Sequence, residues 1–254
     1  MRNICRKGLL AVSVFVAFLT PVQPVLAEEL RIMAIGAMTP LFRQLIPEFE
    51  RTSGHRVSVT YGPTAELAEH MSKGAKADAI FGSPNPVWDR LVEQGKIESG
   101  TDFARFGMGI GVRKGEAKPD VGSSDALRQT LLRAKSPGWL SVGVGLFTQQ
   151  AIRELQISDQ IQSKVRLYPN GSALRRALVS GECDVGISVE ADLAGYDEID
   201  YVGPFPSDVQ KYIAVRAALT TNSASRELAQ AFINFVVRPD RAQMYKTYWL
   251  EPRF

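Results

Sequence analysis

The sequence predicts an α/β protein of two lobes, each a mostly parallel sheet flanked by helices, with a cleft between them. Three observations carry that expectation. Short apolar runs alternate with amphipathic stretches from Leu30 onward, the alternation occurs three times before Gly95, and it resumes after a long apolar segment dotted with glycines, Phe103 to Val112. Repeated strand–helix units of this kind build parallel sheets with right-handed crossovers.

Leu30, Ile32 and Ala34 with Ile35 read as a short buried strand ended by Gly36. Thr39 followed by Pro40 then reads as an N-cap with proline at the first helical position. Amide groups at such a helix start point into the crevice at the strand's carboxyl end, so an anion binds there without any charged side chain. Leu41, Phe42, Leu45, Ile46 and Phe49 give the helix its apolar stripe, and Gly54 stops it. Arg56 to Tyr61 alternates as a second strand, and Gly62-Pro63-Thr64 opens a second helix closed by Gly74. Ala77 to Phe81 is a third, nearly all-apolar strand, and Ser83-Pro84 is expected to cap a third helix that ends at Gly95.

Phe103 to Val112 carries Gly107, Gly109 and Gly111, a weak match to a phosphate loop because no helix start follows; it reads as a strand crossing between lobes. A second α/β lobe then follows, with a helix capped by Ser123 or Ser124, strands at Trp139 to Val144, Val165 to Tyr168 and Asp184 to Val189, and helices after Phe147 and after Asn170-Gly171-Ser172. Ile199 to Phe205 and Val209 to Val215 read as strands returning toward the first lobe, and two helices, Ser223 to Val237 and Asp240 to Tyr248, close the chain. The expected first lobe is residues 28–106 with 205–254, and the second is 107–204.

Residues 1–27 read as an export signal, with basic Arg2, Arg6 and Lys7, an apolar run from Leu9 to Leu19, and cleavage after Ala27. The run is too short for the roughly 20 apolar residues of a spanning helix, and no cysteine follows for a lipid anchor. The chain has 30 basic and 27 acidic residues; three basic ones lie in the signal, so the remainder is neutral and gives no argument for nucleic acid. Cys183 is then alone, which excludes an internal disulfide. The expected protein is periplasmic and monomeric, with no membrane insertion.

His55, His70 and Cys183 have no metal-ligand spacing, and no G-x-S-x-G elbow is present. Glu66, Asp78, Glu190 and Asp208 fall near loop edges as possible general bases, although a helix-start Glu66 is more commonly a surface residue favoured by the dipole. Arg175, Arg176 and Arg216 have forks that fit carboxylates. The strongest feature is the set of helix starts at one edge of each lobe: Thr39, Thr64 and Ser83 in the first, Thr148 and Asn170 to Ser172 in the second.

The stretches Ile32 to Thr39 (IMAIGAMT), Tyr61 to Met71 (YGPTAELAEHM), Gly74 to Trp88 (GAKADAIFGSPNPVW), Arg175 to Val189 and the closing FINFVVRPDRAQMYKTY together resemble the periplasmic molybdate-binding proteins of ABC transporters, of the type 2 periplasmic binding-protein fold. The resemblance implies a small anionic ligand, an ABC permease as partner and no cofactor. At the family's contact positions this chain departs: Ala37 replaces the first-loop serine, the second loop reads Pro63-Thr64-Ala65, and the family's tyrosine falls on Val189 or Glu190. Each missing hydroxyl would leave a molybdate oxygen underpaired, at about 1 to 3 kcal/mol. A carboxylate-bearing metabolite is therefore the expected ligand, held by Ala37, Met38, Thr39, Pro63, Thr64, Ala65, Thr148 and Ser172, with Arg175 or Arg216. The scaffold also resembles aconitate isomerases, which shift an allylic proton without a cofactor; in that alternative Glu66, Glu190, Tyr61 and Lys211 are the candidate acid–base groups.

Overall fold

The computed structural model describes residues 28–253, so the expected export signal lies outside the described residues. The first half begins with β1 (Glu29–Ala34), a 3-10 turn (Gly36–Met38) and α1 (Thr39–Ser53). It continues with β2 (Arg56–Tyr61), α2 (Thr64–Ser72), β3 (Ala79–Gly82) and α3 (Pro86–Glu93). The long strand β4 (Thr101–Arg113) leads to α4 (Ser124–Arg133), β5 (Pro137–Leu140), α5 (Val144–Glu154) and α6 (Ser158–Ile161). Then come β6 (Arg166–Tyr168), α7 (Gly171–Ser180), β7 (Val185–Val189), α8 (Glu190–Ala194) and β8 (Ile199–Pro204). The chain ends with β9 (Tyr212–Leu219), α9 (Arg226–Val236), α10 (Ala242–Thr247) and β10 (Glu251–Pro252).

Strands run in the order β2-β1-β3-β9-β4-β7-β5-β6, with β8 and β10 also paired to β4. The β2-β1-β3 group is parallel, as is β7-β5-β6. β4 belongs to both halves: residues from Thr101 to Gly107 pair with β9, and those from Met108 to Arg113 pair with β7 and β8. Strand polarity decides what this arrangement can do. Because β9 is antiparallel to both β3 and β4, the carboxyl ends of β1, β2 and β3 point along β4 toward the other half. β7 is antiparallel to β4, so the carboxyl ends of β5, β6 and β7 point back. The two sets of strand ends face each other across the stretch of β4 from Asp102, level with the end of β3, to Met108, opposite the end of β7.

In the first half, Phe42, Phe49, Phe81, Phe103 and Phe232 meet edge to face with centroids 5.0 to 6.0 Å apart, which fixes α1 and α9 against the sheet. In the second, Trp139, Leu127, Leu131 and Ile152 are buried between sheet and helices, and Cys183 is buried with its thiol pushed up to about 12 by desolvation. Gly107, Gly109 and Gly111 share one face of β4. A Cβ on Gly109 would lie 2.9 Å from Tyr201 and one on Gly111 would lie 3.0 Å from Leu193, so bare backbone lets α8 and β8 side chains lie directly on the strand. The strand reading of this segment holds for that reason.

Four local expectations are corrected. β5 ends at Leu140, because Gly143 turns with φ of 58° and the helix already begins at Val144. β9 starts at Tyr212 rather than Val209, since Val209 N–H closes a turn onto Pro206 O at 3.0 Å. Asn85, not Ser83, caps α3: its Oδ1 accepts from Val87 and Trp88 N–H at 2.8 and 3.1 Å. Thr39 is the first residue of α1 rather than its cap, because the 3-10 turn precedes it.

Candidate functional site

The convergent strand ends place the starts of α1, α2 and α3 on one side of a cleft and those of α5 and α7 on the other. These starts are not equivalent. α3 is capped by Asn85 and α7 by Asn170, whose Oδ1 accepts from Ala173 N–H at 3.0 Å. α2 has no side-chain cap, but Glu66 folds back so that a Cβ on Gly62 would lie 3.2 Å from its carboxyl carbon; the helix start already faces its own anion. α1 and α5 have neither a side-chain cap nor an acid in the first turn. In the turn before α1, Met38 N–H goes to Ile35 O and Thr39 N–H to Gly36 O, which leaves the Gly36 and Ala37 amides without an acceptor in the turn.

Opposite α1, α7 and α8 pack against the turn of residues 36–38, and Gly195 comes so close to Pro40 that a Cβ there would be 2.8 Å from its ring. Arg175 on α7 is mostly buried. Its Nη2 donates to Ser172 Oγ at 3.0 Å, its Nη1 donates to Asp192 O at 3.2 Å, and its guanidinium lies 3.6 Å from the centroid of Tyr196. Asp192 is fully enclosed and accepts from Ser188 Oγ at 2.8 Å; burial raises its pKa, opposed by Ser188 and by Arg175 at 3.8 Å. The Asp192 carboxyl rests on Gly171, where a Cβ would meet its carboxyl carbon at 2.9 Å. The start of α7 is therefore also covered from within the chain.

Of the residues expected to bind, Ala37 and Met38 present backbone only, since both side chains are buried. Thr39 neighbours Tyr61, half-exposed at the end of β2, whose pKa burial lifts to about 12 against the opposing influence of Thr39 and Arg43. Pro63 and exposed Ala65 flank Thr64, which is buried with its Oγ1 accepting from Ser83 N–H at 3.3 Å. Thr64 ties two loops together rather than facing the cleft. Thr148 has no exposed surface and donates to Val144 O at 3.4 Å within its own helix. Arg216 is paired with Asp102 at 2.6 Å, so its charge is already answered.

The acid–base candidates separate as well. Lys211 is paired with Glu154 at 2.7 Å, and Glu66 lies at the α2 start. Glu190, the first residue of α8, sits over Gly107 and Gly109 just past the carboxyl end of β7, and Tyr201 Oη donates to its Oε2 at 2.6 Å. Burial chiefly raises the Glu190 pKa, Tyr201 lowers it and the nearby Glu251 raises it again; Tyr201 is itself raised by burial and by Glu190. Asp78 lies at the opposite end of β3, and Asp208 accepts from Ser124 Oγ at 2.5 Å on the surface. Sequence reasoning missed Arg43, Tyr196 and Asp192. Arg43 was legible as one helical turn after Thr39; Tyr196 comes to Arg43 and Arg175, and Asp192 to the start of α7, only through tertiary packing.

Among the described residues no group of three or more His, Cys, Asp or Glu side chains is arranged to hold a metal ion, and no helix is long and apolar enough to cross a membrane. A surface groove of 360 Å3 walled by Pro119, Val121, Val202 and Phe205 contains none of the expected site residues.

Residues 30–249 match a family model described as bacterial extracellular solute-binding protein. An aconitate isomerase of Pseudomonas sp is 24% identical over 248 residues, covering 93% of this chain and 94% of the relative. The periplasmic molybdate-binding protein of Azotobacter vinelandii superposes with a TM-score of 0.72 at 17% identity, over 87% of this chain and 98% of that one. The sulfate-binding protein SubI of Mycobacterium tuberculosis H37Rv gives a TM-score of 0.71 at 21% identity, over 89% and 87%.

Proposed function

The chain belongs to the bacterial extracellular solute-binding protein family, and from that premise we propose that it closes in the periplasm on a small carboxylate-bearing anion and hands it to an ABC permease. In this reading the lobes are residues 28–106 with 205–254 and residues 107–204, hinged on β4 and on the link between β8 and β9. One observation carries it: the amides at the start of α1 are uncapped, no acid stands in that first turn, and α7 with Arg175 packs against the same turn. The Gly36 and Ala37 amides hold one carboxylate, with Thr39 beside them, and Arg175 binds from the other lobe. The first-loop position that is serine in the resembled molybdate binders is Ala37, which favours carboxylate over molybdate.

Isomerisation of such a ligand is the second reading, favoured by the Glu190–Tyr201 pair. A carboxyl whose pKa is raised by burial, hydrogen-bonded to a tyrosine hydroxyl, has the chemistry of a general base that takes and returns an allylic proton. The aconitate isomerase relative is consistent with it.

One experiment separates the two. Purified protein is incubated with cis-aconitate and with trans-aconitate, both species are followed by chromatography, and thermal-shift titrations with molybdate, sulfate, citrate and aconitate are run alongside. A shift with citrate or aconitate and no interconversion supports binding for transport; interconversion replaces it with the isomerase. A shift with molybdate alone overturns both.

A further inference from the structure

Near the start of α1, Arg43 is a cation without an acidic partner. Among the described residues it makes no ion pair and no hydrogen bond; its one recorded ring contact is with Tyr196, whose centroid lies 5.7 Å away, and its charge also reaches Tyr61. Arg216 is paired with Asp102, whereas the hydrogen bonds of Arg175 go to the neutral Ser172 hydroxyl and Asp192 carbonyl, with the Asp192 carboxyl 3.8 Å away. Arg43 lies one turn after Thr39 on α1, on the turn of the helix that follows the uncapped amides. Tyr196 follows α8 in the opposite lobe and takes Arg175 on its ring at 3.6 Å. A single aromatic ring thus carries one arginine from each lobe, and by the sum of the two distances their guanidinium carbons lie within about 9 Å of each other.

We propose that Arg43 is a specificity-determining residue that selects ligands bearing a second carboxylate, with Tyr196 as the platform that holds the two arginine forks at a fixed spacing. This rests on the carboxylate reading of the cleft and deepens it. The α1 amides neutralise one carboxylate. A second, a few bonds away on the same molecule, meets the unpaired Arg43 fork on closure, and Arg175 completes the charge from the other side. An inorganic oxyanion has a single centre and gains nothing from Arg43. An arginine fork beside an aromatic face loses less freedom on pairing than a mobile lysine would.

The test compares Arg43→Gln and Arg43→Lys with the parent by calorimetric titration against citrate, trans-aconitate, propionate and sulfate. Arg43 is exposed, so unliganded thermal stability serves as the folding control. The expected result is a tenfold or greater loss of affinity for citrate or trans-aconitate in Arg43→Gln, partial recovery in Arg43→Lys, and unchanged weak responses to propionate and sulfate. Undiminished citrate and aconitate binding in Arg43→Gln overturns the proposal and leaves the carboxylate reading standing, as does an equal loss for every anion. If the parent itself binds no carboxylate, the carboxylate reading fails and this proposal falls with it.

Discussion

The hydroxyl of Tyr201 donates to Glu190 at 2.6 Å above Gly109, on the stretch of β4 where the two halves of the sheet meet. Because burial raises the Glu190 pKa, the folded chain holds that proton more tightly than the unfolded chain does. The stability so contributed is fully present below the ordinary carboxyl range and is lost as pH rises through the raised value. Glu190→Gln keeps an oxygen to accept from Tyr201 and removes the titration. Thermal denaturation from about pH 4 to about pH 8 is expected to show the variant gaining on the parent as pH rises. Curves that stay parallel would mean the carboxyl is not held protonated by its surroundings.

Asp78 accepts from the N–H of Arg31 at 2.9 Å, from Ser223 Oγ at 2.9 Å and from Ala224 N–H at 3.2 Å while almost fully buried. Asp78→Ala strands those three donors and is expected to cost roughly 2 to 4 kcal/mol in denaturant unfolding. Since Asp78 lies at the amino end of β3, away from the convergent strand ends, the thermal shift produced by citrate or aconitate should be unaltered.

Gly145 and Gly36 separate packing from conformational freedom. A Cβ on Gly145 would collide with the carbonyl of Leu140, whereas one on Gly36 meets nothing within 4 Å. Gly145→Ala is therefore expected to lose more than about 3 kcal/mol or to fail to accumulate as folded protein. Gly36→Ala should unfold within about 0.5 kcal/mol of the parent. Similar midpoints for the two would contradict the close seating of α5 on β5.

Arg175→Gln is expected to weaken citrate or aconitate binding by tenfold or more, because a charged fork is exchanged for a neutral amide. Thr148→Val should bind like the parent, its hydroxyl being engaged with Val144 inside the helix. Titration of both variants side by side checks the assignment; a binding defect in Thr148→Val would return that hydroxyl to the cleft.

Much of the framework was legible in the sequence because local patterns and tertiary packing agree. The nearly all-apolar run Ala77 to Phe81 overlaps β3, and the stripe from Leu41 to Phe49 is the buried face of α1. The five-residue α8 was missed because it has too few turns to show a period, and the glycine face of β4 holds it in place. The site was legible only in outline. A helix start is visible in sequence, but whether it is free is not. Asp192, which covers Gly171, comes from twenty-one residues downstream, and the β7–α8 connection brings it there. Likewise nothing local says that Thr64 turns inward to Ser83 or that Arg216 meets Asp102.

β4 runs as one 13-residue strand through both halves, hydrogen-bonded along its length to β9, then to β7 and β8. Any change in the angle between the two halves would therefore have to bend a continuous, hydrogen-bonded ribbon rather than turn about a slack tether.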